Sequence, residues 1–222
     1  MTKLSIIVPT YNIQYYIPEC LNLITDQLTP ECELLVVDDC STDKTALYVR
    51  GILDRKHKKT IRTKLWILPE NQGVSAARNF ALAQAQGEYV AFVDGDDRVA
   101  KDYVKTILKA IESKDDYYEM SWRSFGAESK TWYAGNLKAS NTSVWCRVFK
   151  RDRIKYVFDV TRKTGEDTKF LRENLTEDMT KGLILPVIYE YRRGRPGSLI
   201  TEYRKAERRA KQIARKDDEK NK

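Results

Sequence analysis

The sequence predicts an α/β fold: a mostly parallel, doubly wound sheet flanked by helices, with a smaller region and a basic C-terminal helix after it. Three observations carry that expectation. Short apolar runs alternate with stretches of helical period through the first 115 residues. The runs are near-continuous, as in strands buried on both faces of a parallel sheet. Polar clusters follow three of them: Pro9-Thr10-Tyr11, Asp38-Asp39, and Asp94, Asp96 and Asp97 around Gly95. The carboxyl ends of parallel strands share one edge, where ligands bind. The three clusters therefore converge on one site.

In order, residues 4–8 form the first strand, ended by Pro9 and the polar residues after it. From Gln14 a helix places Tyr16, Ile17, Cys20, Leu21, Ile24 and Leu28 on one face, with Pro18 tolerated in its first turn. Residues 33–37 are the second strand. Ser41 or Thr42 is placed to cap the next helix, Asp43 suits the dipole in its first turn, and Ala46, Val49 and Leu53 form its inner face. A basic loop around His57 leads to a third strand at 65–68. Gly73 allows a turn, Ser75 is placed to cap, and a small-residue helix runs until Gly87 stops it. The fourth strand is 89–93, and Val104, Ile107, Leu108 and Ile111 mark the helix after it. Beyond residue 115 the period is lost as far as Lys138. Residues 143–149 alternate like a strand, Glu166 begins a helix, and 183–191 reads as a last strand.

The fourth strand ends in three carboxylates within four positions. Like charges this close repel, so a positive partner is needed among them. Oxygen ligands shared with substrate phosphates suit Mg²⁺ or Mn²⁺; a solvated polar turn is the alternative for that stretch taken alone. Composition narrows the rest. The charged share of 32% marks a polar protein, and no apolar run approaches a membrane span. No cleavable leader is read at the N-terminus, so a cytoplasmic location is expected. Cys20, Cys32, Cys40 and Cys146 form no CxxC pair, which argues against a zinc site or a disulfide framework. His57 is the single histidine, which disfavours Ser-His-Asp and Cys-His chemistry.

Six segments taken in order resemble the family 2 glycosyltransferases, nucleotide-sugar-dependent enzymes of the GT-A fold. They are Ser5-Ile-Ile-Val-Pro-Thr-Tyr-Asn12, Val36-Val-Asp-Asp-Cys-Ser-Thr-Asp43, Asn71-Gln-Gly-Val-Ser-Ala-Ala-Arg-Asn79, Phe92-Val-Asp-Gly-Asp-Asp97, Gly165-Glu-Asp-Thr-Lys-Phe170 and Tyr191-Arg-Arg-Gly-Arg-Pro-Gly-Ser198. The resemblance implies that Pro9, Thr10 and Tyr11 pack around a nucleoside. Asp39 would accept from uracil or another base edge, with Asp38 supporting its loop. Arg78 would neutralise phosphate or hold the aspartates, Asp94 would touch ribose or metal, and Asp96 would ligate the metal directly. Asp167 resembles the catalytic base, and Arg195 and Ser198 match a segment that closes over the diphosphate. Glu166, beside that base, is assigned to the acceptor side. Trp132 and Tyr133, in the irregular stretch, are candidates for stacking on the acceptor, whereas Trp145 reads better as core. Cys40 departs from the family, which commonly has Gly there; the change is expected to alter the turn after Asp39 without removing its carboxylate.

On this reading residues 1–115 are the nucleotide-sugar-binding half, 116–200 the acceptor and catalytic-base half of the same domain, and 201–222 a basic helix or tail. The implied reaction moves a sugar from a nucleotide-diphosphate sugar, with uridine the preferred base, to a hydroxyl of a glycan or lipid-linked acceptor. Inversion, Mn²⁺ or Mg²⁺, and a role in cell-surface polysaccharide or glycoconjugate synthesis are implied with it. The short chain suggests one sugar per binding event. A catalytically inactive nucleotide-sugar-binding module is the alternative. The formal charge is +8, and residues 201–222 hold nine Lys/Arg against five Asp/Glu. Contact with an anionic membrane and a plain solvated helix both fit that tail. No recognition motif accompanies the charge, so nucleic acid is not an expected partner.

Overall fold

The structure, a computed structural model, describes residues 1–56, 60–136 and 143–196. His57, Ser198 and the expected basic helix at 201–222 lie outside the described residues. The chain alternates as its pattern predicts: β1 (Leu4–Thr10), α1 (Ile17–Thr25), β2 (Cys32–Asp38), α2 (Thr45–Arg55), β3 (Arg62–Ile67), α3 (Val74–Gln84), β4 (Tyr89–Phe92). β1, β2 and β4 are buried at every position, and β1 runs parallel between the other two. Ile6 faces Leu34 on one side and Ala91 on the other. β3, only partly buried, forms the parallel edge beside β2.

Then come β5 (Arg98–Val99), α4 (Tyr103–Ala110), β6 (Tyr117–Gly126), β7 (Lys130–Trp132), β8 (Arg147–Lys150), α5 (Glu166–Asn174) and β9 (Lys181–Arg193). They continue the same sheet in the order β3-β2-β1-β4-β8-β6-β9-β5, with β7 paired to β6. β8 is antiparallel to β4 and to β6, and β9 is parallel to β6. β9 thus runs in the direction of β1, which brings its C-terminal end to the edge where β1, β2 and β4 end. One apolar layer joins alternate residues of the strands to α1, α2 and α4. The other joins the opposite faces of Ile7, Leu35, Val37 and Phe92 to α3 and α5.

The ten-residue β6 occupies a stretch whose sequence shows no period. Its pairing with β9 shifts register between Met120 and Trp122, so its inward positions do not alternate simply. The strand expected at 143–149 is instead a 3₁₀ turn over Val144–Cys146 followed by β8. The expected caps also differ. Ser41 turns to Asp38, and it is Asp43 Oδ1 that accepts from the Thr45 N–H at 2.9 Å. α3 is entered through Gly73 at φ 90°, with Ser75 buried in its first turn. α3 ends at Gln84, before Gly87. Gly87 instead lets the chain pass close to β1. Its N–H donates to Ser5 Oγ at 2.9 Å, and a Cβ there would lie 2.5 Å from the Ser5 nitrogen. Gly87→Ala is therefore expected to cost about 1–3 kcal/mol, as overpacking against backbone does. The denaturation midpoint should fall with an unchanged m-value; an unchanged midpoint would refute the close approach.

Candidate active site

The site is built where β1, β2, β4 and β9 end. In β1, Ile7 O accepts from the Val93 N–H at 2.9 Å, so Pro9, two residues on, faces the same side beyond the last β4 partner. Its missing N–H costs no ladder bond there. Asp38, fully buried, accepts from Thr10 Oγ1 (3.0 Å), Ser41 N (2.8 Å) and Ser41 Oγ (2.7 Å). Asp39, also buried, accepts from Asn71 Nδ2 (2.9 Å), Gln72 N (2.8 Å) and Gly73 N (2.7 Å), tying the β2 end to the start of α3. Asn12 Oδ1 accepts from Thr42 N at 2.8 Å, which joins the loops after β1 and β2. Cys40 between them has φ 60°, in the left-handed region that favours glycine. The turn keeps the glycine-type backbone at a strain of about 1–2 kcal/mol. Tyr11 is left 45% exposed at this rim.

Arg78, on α3, is 3% exposed and bridges two distant carboxylates. Nη2 donates to Asp94 Oδ1 at 2.8 Å and Nη1 to Asp167 Oδ1 at 2.7 Å, with Glu166 Oε1 3.7 Å away. Its guanidinium carbon lies 5.3 Å from the centre of the Phe158 ring. Burial pulls the arginine's pKa down, but Asp167, Asp94 and Glu166 outweigh it and leave it raised. Asp167 is positioned by the packing of α5: Phe170 stacks on Phe158 at 4.1 Å and meets Phe92 and Phe149 edge-on. Its second oxygen accepts from the Val144 N–H at 3.1 Å. Burial pushes the Asp167 carboxyl up to about 6; Arg78 opposes the rise, and Glu166 and Asp94 add to it.

The carboxylates of the three aspartates in the turn are held by different partners. Asp94 takes Arg78. Asp96 Oδ2 accepts from Arg195 Nε at 2.5 Å. Asp97 is buried and accepts from Tyr189 Oη (2.7 Å) and Arg192 N (2.6 Å). Burial holds the Asp97 carboxyl well above the usual range, with Asp96 and Asp94 adding to the effect. Burial also raises Asp96, against Arg195. The Tyr189 hydroxyl accepts in turn from the Asp94 N–H at 3.1 Å, and Arg192 Nε donates to Asp96 O at 2.7 Å. β9 therefore clamps the turn.

The sequence gives no sign of Tyr189, which sits inside a strand; Arg192 lies within a recognised segment but draws no role there. Trp132 stacks on Trp122 at 3.8 Å, with Lys130 and Arg193 each 5.4 Å from its ring centre. Tyr133 beside it is 58% exposed. Trp145 stacks on Tyr189 and Tyr191, in the core as expected. Asp94 gives Oδ1 to Arg78 and Asp96 gives Oδ2 to Arg195, and among the described residues no other side chain is bonded to their second oxygens. Such a donor set fits Mg²⁺ or Mn²⁺ with phosphate and water completing the shell. Among the described residues no three His, Cys, Asp or Glu side chains are grouped to hold a metal by themselves, so the fit depends on a phosphate-bearing substrate.

The sequence profile of glycosyl transferase family 2 matches residues 5–179. The chain is 45% identical over 115 residues to the Staphylococcus aureus poly(ribitol-phosphate) beta-N-acetylglucosaminyltransferase TarS, covering 50% of this chain and 19% of that protein. It is 29% identical over 221 residues to the Bacillus subtilis minor teichoic acid biosynthesis protein GgaB, covering 91% and 24%. The crystal structure of S. aureus TarS 1-349 in complex with UDP-GlcNAc superposes with a TM-score of 0.78 at 27% identity, over 90% of this chain and 61% of that one. The chain thus spans under a quarter of the length of these two curated relatives. The superposition shows a GT-A-like fold.

Arg78 is the cation among Asp94, Glu166 and Asp167, so Arg78→Met is expected to lower stability by about 3–5 kcal/mol, as breaking a buried ion pair does. Adding Asp167→Asn should restore part of the loss in urea unfolding. A loss under about 1 kcal/mol, the worth of a surface pair, would contradict the buried bridge.

Proposed function

The chain belongs to glycosyl transferase family 2, and from that premise we propose that it moves a sugar from a nucleotide-diphosphate sugar, preferably a UDP-sugar, to an acceptor hydroxyl with inversion. The acceptor class is a cell-surface glycan or a lipid-linked precursor. The names of TarS and GgaB support that class, and the TarS complex with UDP-GlcNAc supports the donor. The observation that carries the reading is the Arg78 bridge, which holds a donor-side aspartate and the candidate base on one guanidinium.

Pro9, Thr10 and Tyr11 frame the nucleoside. A carboxylate has about four acceptor sites; three protein donors at Asp39 leave one for the base edge, while Asp38 holds the loop. Asp94 and Asp96 would hold Mn²⁺ or Mg²⁺, which supplies positive charge to the diphosphate as it departs. Arg78 keeps Asp94 in place, and Arg195 faces the diphosphate, a role the family resemblance extends to Ser198. Asp167 takes the proton from the acceptor hydroxyl as that oxygen attacks the anomeric carbon; the bond to the diphosphate oxygen breaks on the opposite face, which inverts the centre. Glu166, Trp132 and Tyr133 lie on the acceptor side. We place the reaction in the cytoplasm, with peripheral contact to an anionic membrane through residues 201–222. No helix among the described residues is long and apolar enough to cross a membrane.

A panel of nucleotide sugars, with and without Mn²⁺, tests the proposal by thermal shift and nucleoside diphosphate release. A metal-dependent shift with a UDP-sugar, and release abolished in Asp96→Ala, are expected; a folded protein that responds to no donor overturns it. Asp167→Asn should lower kcat by roughly 10²–10⁴, the worth of a general base, while donor affinity holds. In the wild type, kcat/KM should fall as pH drops through about 6, because the protonated Asp167 accepts no proton. Above that pH the profile should level off.

A further inference from the structure

Asp96 is held by an arginine from far along the chain. Arg195 donates to its Oδ2, lies with its guanidinium carbon 5.6 Å from the centre of the Tyr16 ring, and has a side chain only 17% exposed. Three residues earlier Arg192 is fixed to the same turn through its N–H to Asp97 and its Nε to Asp96 O, and to α1 through its Nη2 to Glu19. Between them Gly194 has φ 79°, a conformation that side chains rarely adopt, and a Cβ there would meet Ala127 Cβ at 2.9 Å. This turn after β9 carries the chain back over the aspartates. Arg192 is the anchor and Arg195 the arm.

We propose that Arg195 is a resident counter-cation of Asp96, which competes with the divalent cation for that carboxylate until a nucleoside diphosphate brings enough negative charge for both. The inference rests on the donor site proposed above. A guanidinium and a divalent cation on one carboxylate repel each other, so the cation alone binds against Arg195. A diphosphate changes the balance: it ligates the cation and offers the guanidinium a second anion with matching fork geometry. Cation and nucleotide then bind cooperatively, and the coupling resides in one side chain. Arg78 does not share this role, because it is buried and shared between Asp94 and Asp167.

The test is a Mn²⁺ titration of the full chain and of Arg195→Gln, read by the electron paramagnetic resonance of free Mn²⁺, first without nucleotide and then with UDP. Without nucleotide, Arg195→Gln should bind Mn²⁺ roughly fivefold tighter or more, the lower range of such couplings. With UDP present, the gain in Mn²⁺ affinity should be smaller in the variant than in the wild type. Arg195→Ala, checked for an unchanged unfolding midpoint, serves as the second variant. Equal or weaker Mn²⁺ affinity in the variants, including no binding by any of the proteins, overturns the inference. Failure of the donor-site reading shows differently, as no UDP binding by either wild type or variant.

Discussion

The arrangement at the edge of the sheet depends on one buried guanidinium. Arg78 reaches a carboxylate at the end of β4 and another in the first turn of α5, two elements 73 positions apart in sequence as counted from Asp94 to Asp167. Burying a cation and several anions is costly unless each satisfies the others, and removing one partner leaves the rest uncompensated. Each end of the bridge is fixed independently. Asp39 accepts the N–H groups that open α3 and so sets where Arg78 begins. The stacked rings of Phe158 and Phe170 set α5, and with it Asp167. The bridge therefore joins two prepared positions, and it ties the parallel half of the sheet to the region that follows.

The direction of β9 is the second constraint. Because β8 turns back antiparallel to β4 and β6 turns back again, β9 rises alongside β6 toward the same edge as β1. Residues 189–195 consequently arrive over the aspartate turn, although nearly a hundred residues separate them from it in the chain. The protein itself supplies partners for the charges of Asp94, Asp96 and Asp97: arginine for the first two, and a tyrosine hydroxyl with a backbone N–H for the third. Asp97, with both carboxylate oxygens bonded to β9, is thereby a support of the turn.

How much of this was legible follows from the range of the forces involved. The strands β1, β2 and β4 announce themselves by continuous apolar runs, and the site edge by the polar residues after them, because both signals are local. The resemblance marks Cys40 as a glycine position and implies an altered turn, whereas the backbone there adopts the left-handed φ of 60° despite the side chain. β6 was not legible, because a register shift breaks its alternation and its partner lies more than sixty residues on. Tyr189 was hidden for a similar reason: a tyrosine inside a strand reads as core, and only the tertiary fold brings its hydroxyl to Asp94 and Asp97. Ser41, Thr42 and Ser75 read as caps by type, yet the competing demand of the buried Asp38 and the positive φ of Gly73 decided those turns. Trp132 read as a sugar platform, and one of its faces is already covered by Trp122.

The strength of the candidate base is set by the same bridge that sets its position. Burial alone would carry the Asp167 carboxyl further from the usual carboxylate range, toward a group that stays protonated at neutral pH. Full exposure would leave it a weak base. Arg78 opposes the effect of burial, Glu166 and Asp94 support it, and the balance falls at about 6. That is close enough to neutrality for the group to be ionised and still basic enough to draw a proton from an attacking hydroxyl. Arg78 holds Asp94 with its other nitrogen, so the side chain that lowers the Asp167 carboxyl from where burial alone would carry it also fixes it relative to the aspartate turn. Position and basicity of the candidate base thus depend on one side chain.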